Sequence, residues 1–400
     1  MFRVGQGWLI YEITGNPWSL GLVGAANAIP GIFFNLFGGV FADRLDKRRL
    51  IMFTQLTTGG LVFLLATLTL FDVVEAWHVL VVAFLAGGVE AFDNPARQAL
   101  YPHLIDRKVM MSAVAMNSVI WQGTRIIAPG IAGILIDLIN TQSALYISGM
   151  GFVVLAVVMG RLKIPAIPRG ALGNPLQDIK EGLKFIKVHS VFSFLISMTF
   201  FNSFFGMAYV MLMPIFAVDI LDVGAKGQGL LLGMSGAGAL VNTLYIGARG
   251  SVPHRGLAII AGAVLFGLAV AAFALTAEYV GSLSLAMGLM FIMGIFNSLY
   301  MISIQSSLQI MVPDRMRGRV MGFYGMTWSI MPLGGLQASA LTSIWNAPIA
   351  IAAGGLAVAA FALGTSLFNS TVRNLSSNLS PIIDEAPQDT ALEPAVQKDD

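Results

Sequence analysis

Eleven stretches of this chain stay apolar for about 20 residues, the length a helix needs to cross the hydrocarbon core of a bilayer. They run near 17–42, 49–71, 76–96, 112–136 and 141–160, then near 191–217, 228–248, 256–276, 281–304, 320–344 and 347–368. In lipid every backbone amide must be satisfied within its own segment, so each run is expected as a helix. Composition agrees, since 56% of the 400 residues are hydrophobic and 11% charged, against roughly 25% charged in a soluble domain. So few charges cannot cover a water-facing surface. The opening segment before Asn16-Pro17 offers only about a dozen spanning residues, too few to cross. It is expected as the second half of a first helix whose beginning is missing, within an intended plan of twelve helices.

The basic residues test this assignment, because loops on the cytoplasmic side carry the Lys and Arg. Five alternate loops hold 18 of the 23: Arg44, Lys47, Arg48 and Arg49; Arg97, Arg107 and Lys108; Arg161, Lys163, Arg169, Lys180, Lys184 and Lys187; Arg249 and Arg255; and Arg315, Arg317 and Arg319. The opposite loops hold only Lys226. Both ends of the intact protein are therefore expected in the cytoplasm. A formal charge of +2 argues against a nucleic-acid partner, which selects for a concentrated basic face. The chain has no cysteine and its four histidines, His78, His103, His189 and His254, are scattered, so neither a disulfide nor a metal site is expected. No phosphate-cradling G-x-x-x-x-G-K-[ST] loop occurs. With no cofactor expected, an ion gradient is left as the driving force.

The basic stretch 161–190 divides the chain into a first group of helices, 1–160, and a second, 191–368, and a polar tail, 369–400, is expected to be disordered. Within the linker, Leu176, Ile179, Leu183 and Ile186 recur at helical spacing opposite Asp178, Lys180, Lys184 and Lys187, the pattern of a helix lying in the membrane surface. A faint repeat relates the halves. "IDRKVM" and "VPDRMRGRVM" each lead into a helix with proline and small residues, "APGIAG" and "MPLGG", as in transporters built from parallel repeats.

The stretch "GGVFADRLDKRR" resembles motif A of the major facilitator superfamily, with Gly39, Asp43, Arg44, Arg48 and Arg49 filling the pattern. Asp46 stands where a second glycine is usual, so an Asx-type bond is expected to make the turn. "GWLIYEITGNPWSLGLVG", "AFDNPARQALYPHLIDR" and "NSVIWQGTRIIAPGIAG" resemble the bacterial exporter branch that includes enterobactin and macrolide exporters. The resemblance, over residues 1 to about 368, implies an all-α membrane protein of two six-helix bundles. It further implies a monomeric inner-membrane exporter of a small amphipathic molecule, a siderophore or an antibiotic, driven by proton antiport with alternating access. In that scheme Asp43 is expected to accept from free amides near Met321 to Gly325, and Lys47 or Arg48 to reach Asp93, as a latch that breaks when the transporter changes its facing. Pro129, Gly130 and Gly133 resemble the antiporter motif of the fifth helix, with Ala128 replacing a usual glycine, and are expected to hinge against the other half.

Ionisable residues deep in a span are functional candidates by default. Arg125 shares a face of the fifth helix with Asn117 and Trp121, beside Gln122. Arg3 lies at similar depth in the first helix. Two arginines on a central cavity favour an anionic or catechol-like substrate. Glu90, two turns inside the fourth helix, is the expected proton carrier; Asp93, a second coupling candidate, is spaced to pair with Arg97. In the second half Phe200, Phe201, Asn202, Phe204, Phe205, Tyr209, Asn297 and Tyr300 are candidates for an aromatic and amide wall. The competing readings are a channel, a transporter-shaped scaffold or sensor, and an uptake permease for an organic anion.

The cysteine-free chain makes topology directly testable. Lys108→Cys and Lys180→Cys are expected to react with an impermeant maleimide in inside-out vesicles, and Lys226→Cys in right-side-out ones. Reaction of the first two from opposite faces would reject the assignment.

Overall fold

The computed structural model describes residues 1–44, 46–100, 104, 110–162, 175–249 and 254–368. The side chains at 32, 35–44, 98–99, 110–119, 121–122, 125–126, 175–176, 178–179, 314–315 and 317 also fall outside the description. Among the described residues there are helices and no strand. They are α1 (Phe2–Thr14), α2 (Pro17–Arg44), α3 (Lys47–Leu70), α4 (Ala76–Leu100), α5 (Met110–Leu138), α6 (Thr141–Arg161) and α7 (Pro175–Val188). Next come α8 (Ser190–Phe201), a π turn (Asn202–Gly206), α9 (Tyr209–Ile215) and a second π turn (Phe216–Ile220). The chain continues through α10 (Gly224–Arg249), α11 (Arg255–Val280), α12 (Leu283–Met311), α13 (Asp314–Ser329), α14 (Met331–Leu341) and α15 (Ala347–Phe368). Eight helical segments are long and apolar enough to cross a membrane by length and composition. With α2, α5 and the α13–α14 pair they account for the eleven expected spans.

Short polar residues begin the helices, each satisfying an amide the helix itself cannot. Asn16 accepts from Trp18 N at 2.9 Å ahead of α2, and Asn140 from Ser143 N at 2.9 Å ahead of α6. Asp46 accepts from Arg49 N at 3.1 Å. The acid in the motif A loop thus makes the expected Asx-type bond, and it does so as the N-cap of α3.

In the first bundle α2 packs on α4, α3 on α4 and α6, and α1 lies against α2, α4, α5 and α6. In the second, α11 packs on α12 and α15, α10 on α12, and the α8–α9 segment on α14 and α15. Val62, Leu65 and Leu145 fill the first, and Phe266, Phe273, Met290 and Met293 the second. Phe33, Phe53, Leu244 and Leu257 point outward, which in lipid carries no penalty.

Two spans depart from the expected single helices. The seventh runs from Ser190 to Ile220 with its two π turns, and Pro214 between them removes an amide from the ladder. The eleventh begins at Asp314 and breaks at Ile330, because Pro332 has no N–H for the Trp328 carbonyl. The early start corrects one expectation. The amides of Met321 to Gly325 lie inside α13 and are used by its own ladder, so the unpaired ones belong to its first turn. Gly39, Asp43 and Arg44, whose latch role depends on their side chains, lie outside the described residues in that respect.

α7 also differs from a helix resting on the membrane surface. Phe185 and Ile186 are buried in the second bundle, with Phe185 stacked on Phe192 at 5.2 Å. Glu181 bridges to Arg319 at 2.5 Å, and Gly182 lies against Phe323. Leu183, expected on the apolar face, is exposed, as are Lys180, Lys184 and Lys187. The helix docks on α8 and α13 because Phe185 supplies the larger apolar face.

The bundles meet along two seams, α2 with α14 and α5 with α10, both toward the end away from the basic loops. Small residues set the spacing. A Cβ at Gly229 would lie 2.8 Å from the Pro129 carbonyl oxygen, and one at Gly21 would lie 2.8 Å from Ser339 Oγ. Gly130 and Gly133 face Gly229 and Ala225, so the proline-glycine segment of α5 does meet the other half. At the same end Tyr11 of α1 donates to Asp219 across the halves.

A wedge in this seam is expected to favour the opposite conformation. Overpacking costs about 1–3 kcal/mol, which corresponds to a population shift of roughly 5- to 150-fold. Gly229→Leu should speed modification of a Ser339→Cys reporter within that range. Gly7→Leu, at a position with no atom within 4 Å of an added Cβ, should leave the rate unchanged.

Candidate functional site

A cavity of about 310 Å³ lies between the bundles, on the basic-end side of the seams. Arg3 of α1, Asn27 and Gly31 of α2, and Glu90 and Asn94 of α4 line one side; Gly325, Trp328 and Ser329 of α13 with Pro332 of α14 line the other. Arg3 and Glu90 form an ion pair across the α1–α4 contact. Their side chains are 53% and 48% exposed, so water reaches both.

The position of Arg3 follows from the turn that comes after it. Gln6, fully buried, donates to the Val79 carbonyl at 3.3 Å and accepts from Asn27 Nδ2 at 3.2 Å. A buried amide must find partners, and these two pin α1 to α4 and α2. Arg3, one turn earlier, then reaches Glu90. Glu12 accepts from Thr141 at 2.8 Å and fixes the other end of α1 to α6.

Asp93 has a different environment. It accepts from Thr54 Oγ1 at 2.6 Å, Gln55 Nε2 at 2.9 Å and Arg97 Nε at 2.6 Å, and is 13% exposed. The pairing with Arg97 is the one the spacing predicts. The expected reach of Lys47 or Arg48 to Asp93 is not what forms. Arg48 donates to the Met159 carbonyl at 3.0 Å and to the Gly160 carbonyl. Those carbonyls end α6 without helical partners and sit at the negative pole of its dipole, so they attract a guanidinium. Asp93, already given three donors, ties α3 to α4 within one bundle, and its proposed share in proton coupling loses ground to this structural role.

Asn202, Tyr209, Asn297 and Tyr300, expected to form a second-half wall, do not line the cavity in this structure. Asn202 and Asn297 are buried and bonded to each other at 3.4 Å, Tyr300 donates to Thr199 at 3.5 Å, and Tyr209 lies in the apolar core. Polar groups inside a helical bundle pair across helices, and these hold α12 to the α8–α9 segment away from the cavity. The aromatics pack on one another, Phe201 stacking on Phe361 at 3.8 Å and Phe200 on Phe204 at 5.8 Å. Asn117, Trp121, Gln122 and Arg125 lie on α5 with side chains outside the described residues.

Asn27, Asn94 and Trp328 escape the sequence reading. Asn94 sits one turn beyond Glu90 and shares its face, a signal available from spacing. Trp328 lies at the end of α13, where its carbonyl accepts from the Ile330 amide because Pro332 has none to offer. Among the described residues no cluster of three or more metal-ligating side chains occurs.

Two helical bundles closed along small-residue seams around a polar cleft lined by an ion pair define a membrane transporter of the major facilitator fold. A family model described as transmembrane secretion effector matches residues 1–398, and the chain belongs to that family. The staphyloferrin A transporter of Staphylococcus aureus is 24% identical over 86% of this chain and 86% of its own length. The multidrug efflux pump Tap of Mycolicibacterium fortuitum is 26% identical over 84% of this chain and 83% of its own. The fold matches a bacterial homolog of the human lysosomal transporter Spinster in an inward-facing, unoccupied conformation, with a TM-score of 0.68, 14% identity and 94% of both chains covered. The chain is a multi-pass transporter of an efflux and secretion family, and no enzyme.

The two carboxylates should separate on substitution. Asp93→Ala strands buried donors and is expected to cost about 1–3 kcal/mol of stability. Glu90→Gln breaks a half-exposed pair worth about 0–1 kcal/mol. Thermal unfolding of the detergent-purified variants measures both, and a larger loss for Glu90→Gln would reverse the assignment.

Proposed function

We propose that this protein exports a small amphipathic organic molecule, siderophore-like or antibiotic-like, across the bacterial inner membrane in exchange for protons. The observation that carries the reading is the solvated Arg3–Glu90 pair in a cleft shared by the two halves. An ionisable pair there is costly in lipid and serves a pathway. Glu90 carries the proton; Asn27, Asn94 and Trp328 contact the cargo. Asn117, Trp121, Gln122 and Arg125 of α5 extend the same path on the strength of their spacing. The relatives, one named for siderophore transport and one for multidrug efflux, support efflux of bulky organic cargo.

In this reading the basic end is cytoplasmic, residues 1–160 and 191–368 rock as monomeric halves joined by the linker 161–190, and the tail 369–400 lies in the cytoplasm. The seams at α2–α14 and α5–α10 close the outer side while the cleft faces inward, and Pro129, Gly130 and Gly133 act as the hinge. Proton entry down an inward-directed gradient resets the halves, and each charge moved across 100 mV contributes about 2.3 kcal/mol.

The test is efflux of a panel of amphipathic antibiotics and siderophores from cells lacking their own exporters. Expression is expected to lower accumulation of at least one compound, and either a protonophore or Glu90→Gln should abolish the effect. Efflux indifferent to both would reject proton antiport.

A further inference from the structure

The Arg3–Glu90 pair links the charge of the cargo to the sign of proton coupling. An anionic cargo would have to take Arg3 from Glu90. The carboxylate would then face a second negative charge without its partner, and like charge favours its protonated form. Proton and anion would bind best together, which is cotransport. A cargo with a cationic group takes Glu90 from Arg3 instead. Proton and cargo then compete for one carboxylate, which is exchange.

Resting on the antiport reading above, we propose that Arg3 is a built-in stand-in for a cationic group on the cargo: it occupies Glu90 in the empty transporter, and the cargo's cation displaces it. The pair is suited to exchange partners because it is half-exposed, so a released guanidinium is hydrated rather than stranded. A second observation points the same way. Trp328 is the aromatic ring among the described residues lining the cavity, contributed by the half that does not carry the pair, and an aromatic face attracts cations. Asn27 and Asn94 add amide carbonyls that accept from a cargo N–H. The charged surroundings are few. From α1 comes Arg3; α2, α13 and α14 present no charged lining among the described residues; and Asp93 of α4, turned toward α3, is occupied by Thr54, Gln55 and Arg97.

Two probes of one shape and opposite charge test this. Equilibrium binding of radiolabelled tetraphenylphosphonium and of tetraphenylborate is measured on the full chain in nanodiscs, with empty nanodiscs subtracted. The phosphonium is expected to bind more tightly, and to weaken as pH falls. Glu90→Gln should remove that pH dependence and at least about tenfold in affinity, the equivalent of 1.4 kcal/mol. Arg3→Gln should raise phosphonium affinity by up to about fivefold, the worth of an exposed ion pair, while Arg3→Lys, which keeps the competitor, should stay near the parent value. Tighter borate binding that strengthens as pH falls, weaker phosphonium binding in Arg3→Gln, or binding of neither probe would overturn the proposal. Glu90-dependent efflux combined with borate binding would sink this inference alone. Phosphonium competition without proton-dependent efflux would sink the antiport reading alone.

Discussion

A guanidinium and a carboxylate inside membrane-spanning helices are tolerable only together and only where water reaches them. The rest of this molecule arranges that circumstance. α1 supplies the cation, α4 the anion, and the Gln6–Asn27 amide network holds the two helices at the separation the pair requires. The second bundle supplies the opposite wall, so the cleft exists only because the halves touch along seams at one end and diverge toward the other. Were the pair dry, exchanging its partners would strand a charge at a cost of several kcal/mol. Half-exposed, it can trade one partner for another at little cost.

The seams are built of different material. Gly21 against Ser339 and Gly229 against Pro129 bring backbones into contact through small residues, with Tyr11 and Asp219 forming a polar link beside them. Dispersion between close backbones is lost steeply with separation. Such a contact is therefore present or absent, with little in between, which is what a two-state gate needs.

Much of this was legible in the residues. The eleven spans were, because a run of apolar residues long enough for a bilayer has few other fates. The Asp93–Arg97 pair followed from i,i+4 spacing, and the Asp46 cap from the missing glycine. The partners of Arg3, Arg48, Asn202 and Asn297 were not legible, and the reason is common to all four. Each partner lies on another helix, and helical periodicity gives the face a side chain occupies without giving the neighbour that face meets. The pairing of Arg3 with Glu90 stayed hidden for this reason. Counted with Arg125, Arg3 suggests a cationic cavity, whereas Glu90 at its side makes the described lining neutral overall. The break at Ile330 was hidden for a different reason: Pro332 was visible, but whether proline bends, breaks or is absorbed by a π turn, as near Pro214, depends on what packs against it.

The basic end carries the remaining argument. Among the described residues there, three arginines bond inside their own half: Arg48 on the end of α6, Arg97 on Asp93, Arg319 on Glu181 of the docked linker helix. A cleft open at that end consequently leaves none of these charges stranded. A carboxylate already accepting from three donors, as Asp93 does, has little capacity left for a bond to the other half. The linker helix α7 is held on α13 by Glu181–Arg319 and packs into the second bundle through Phe185.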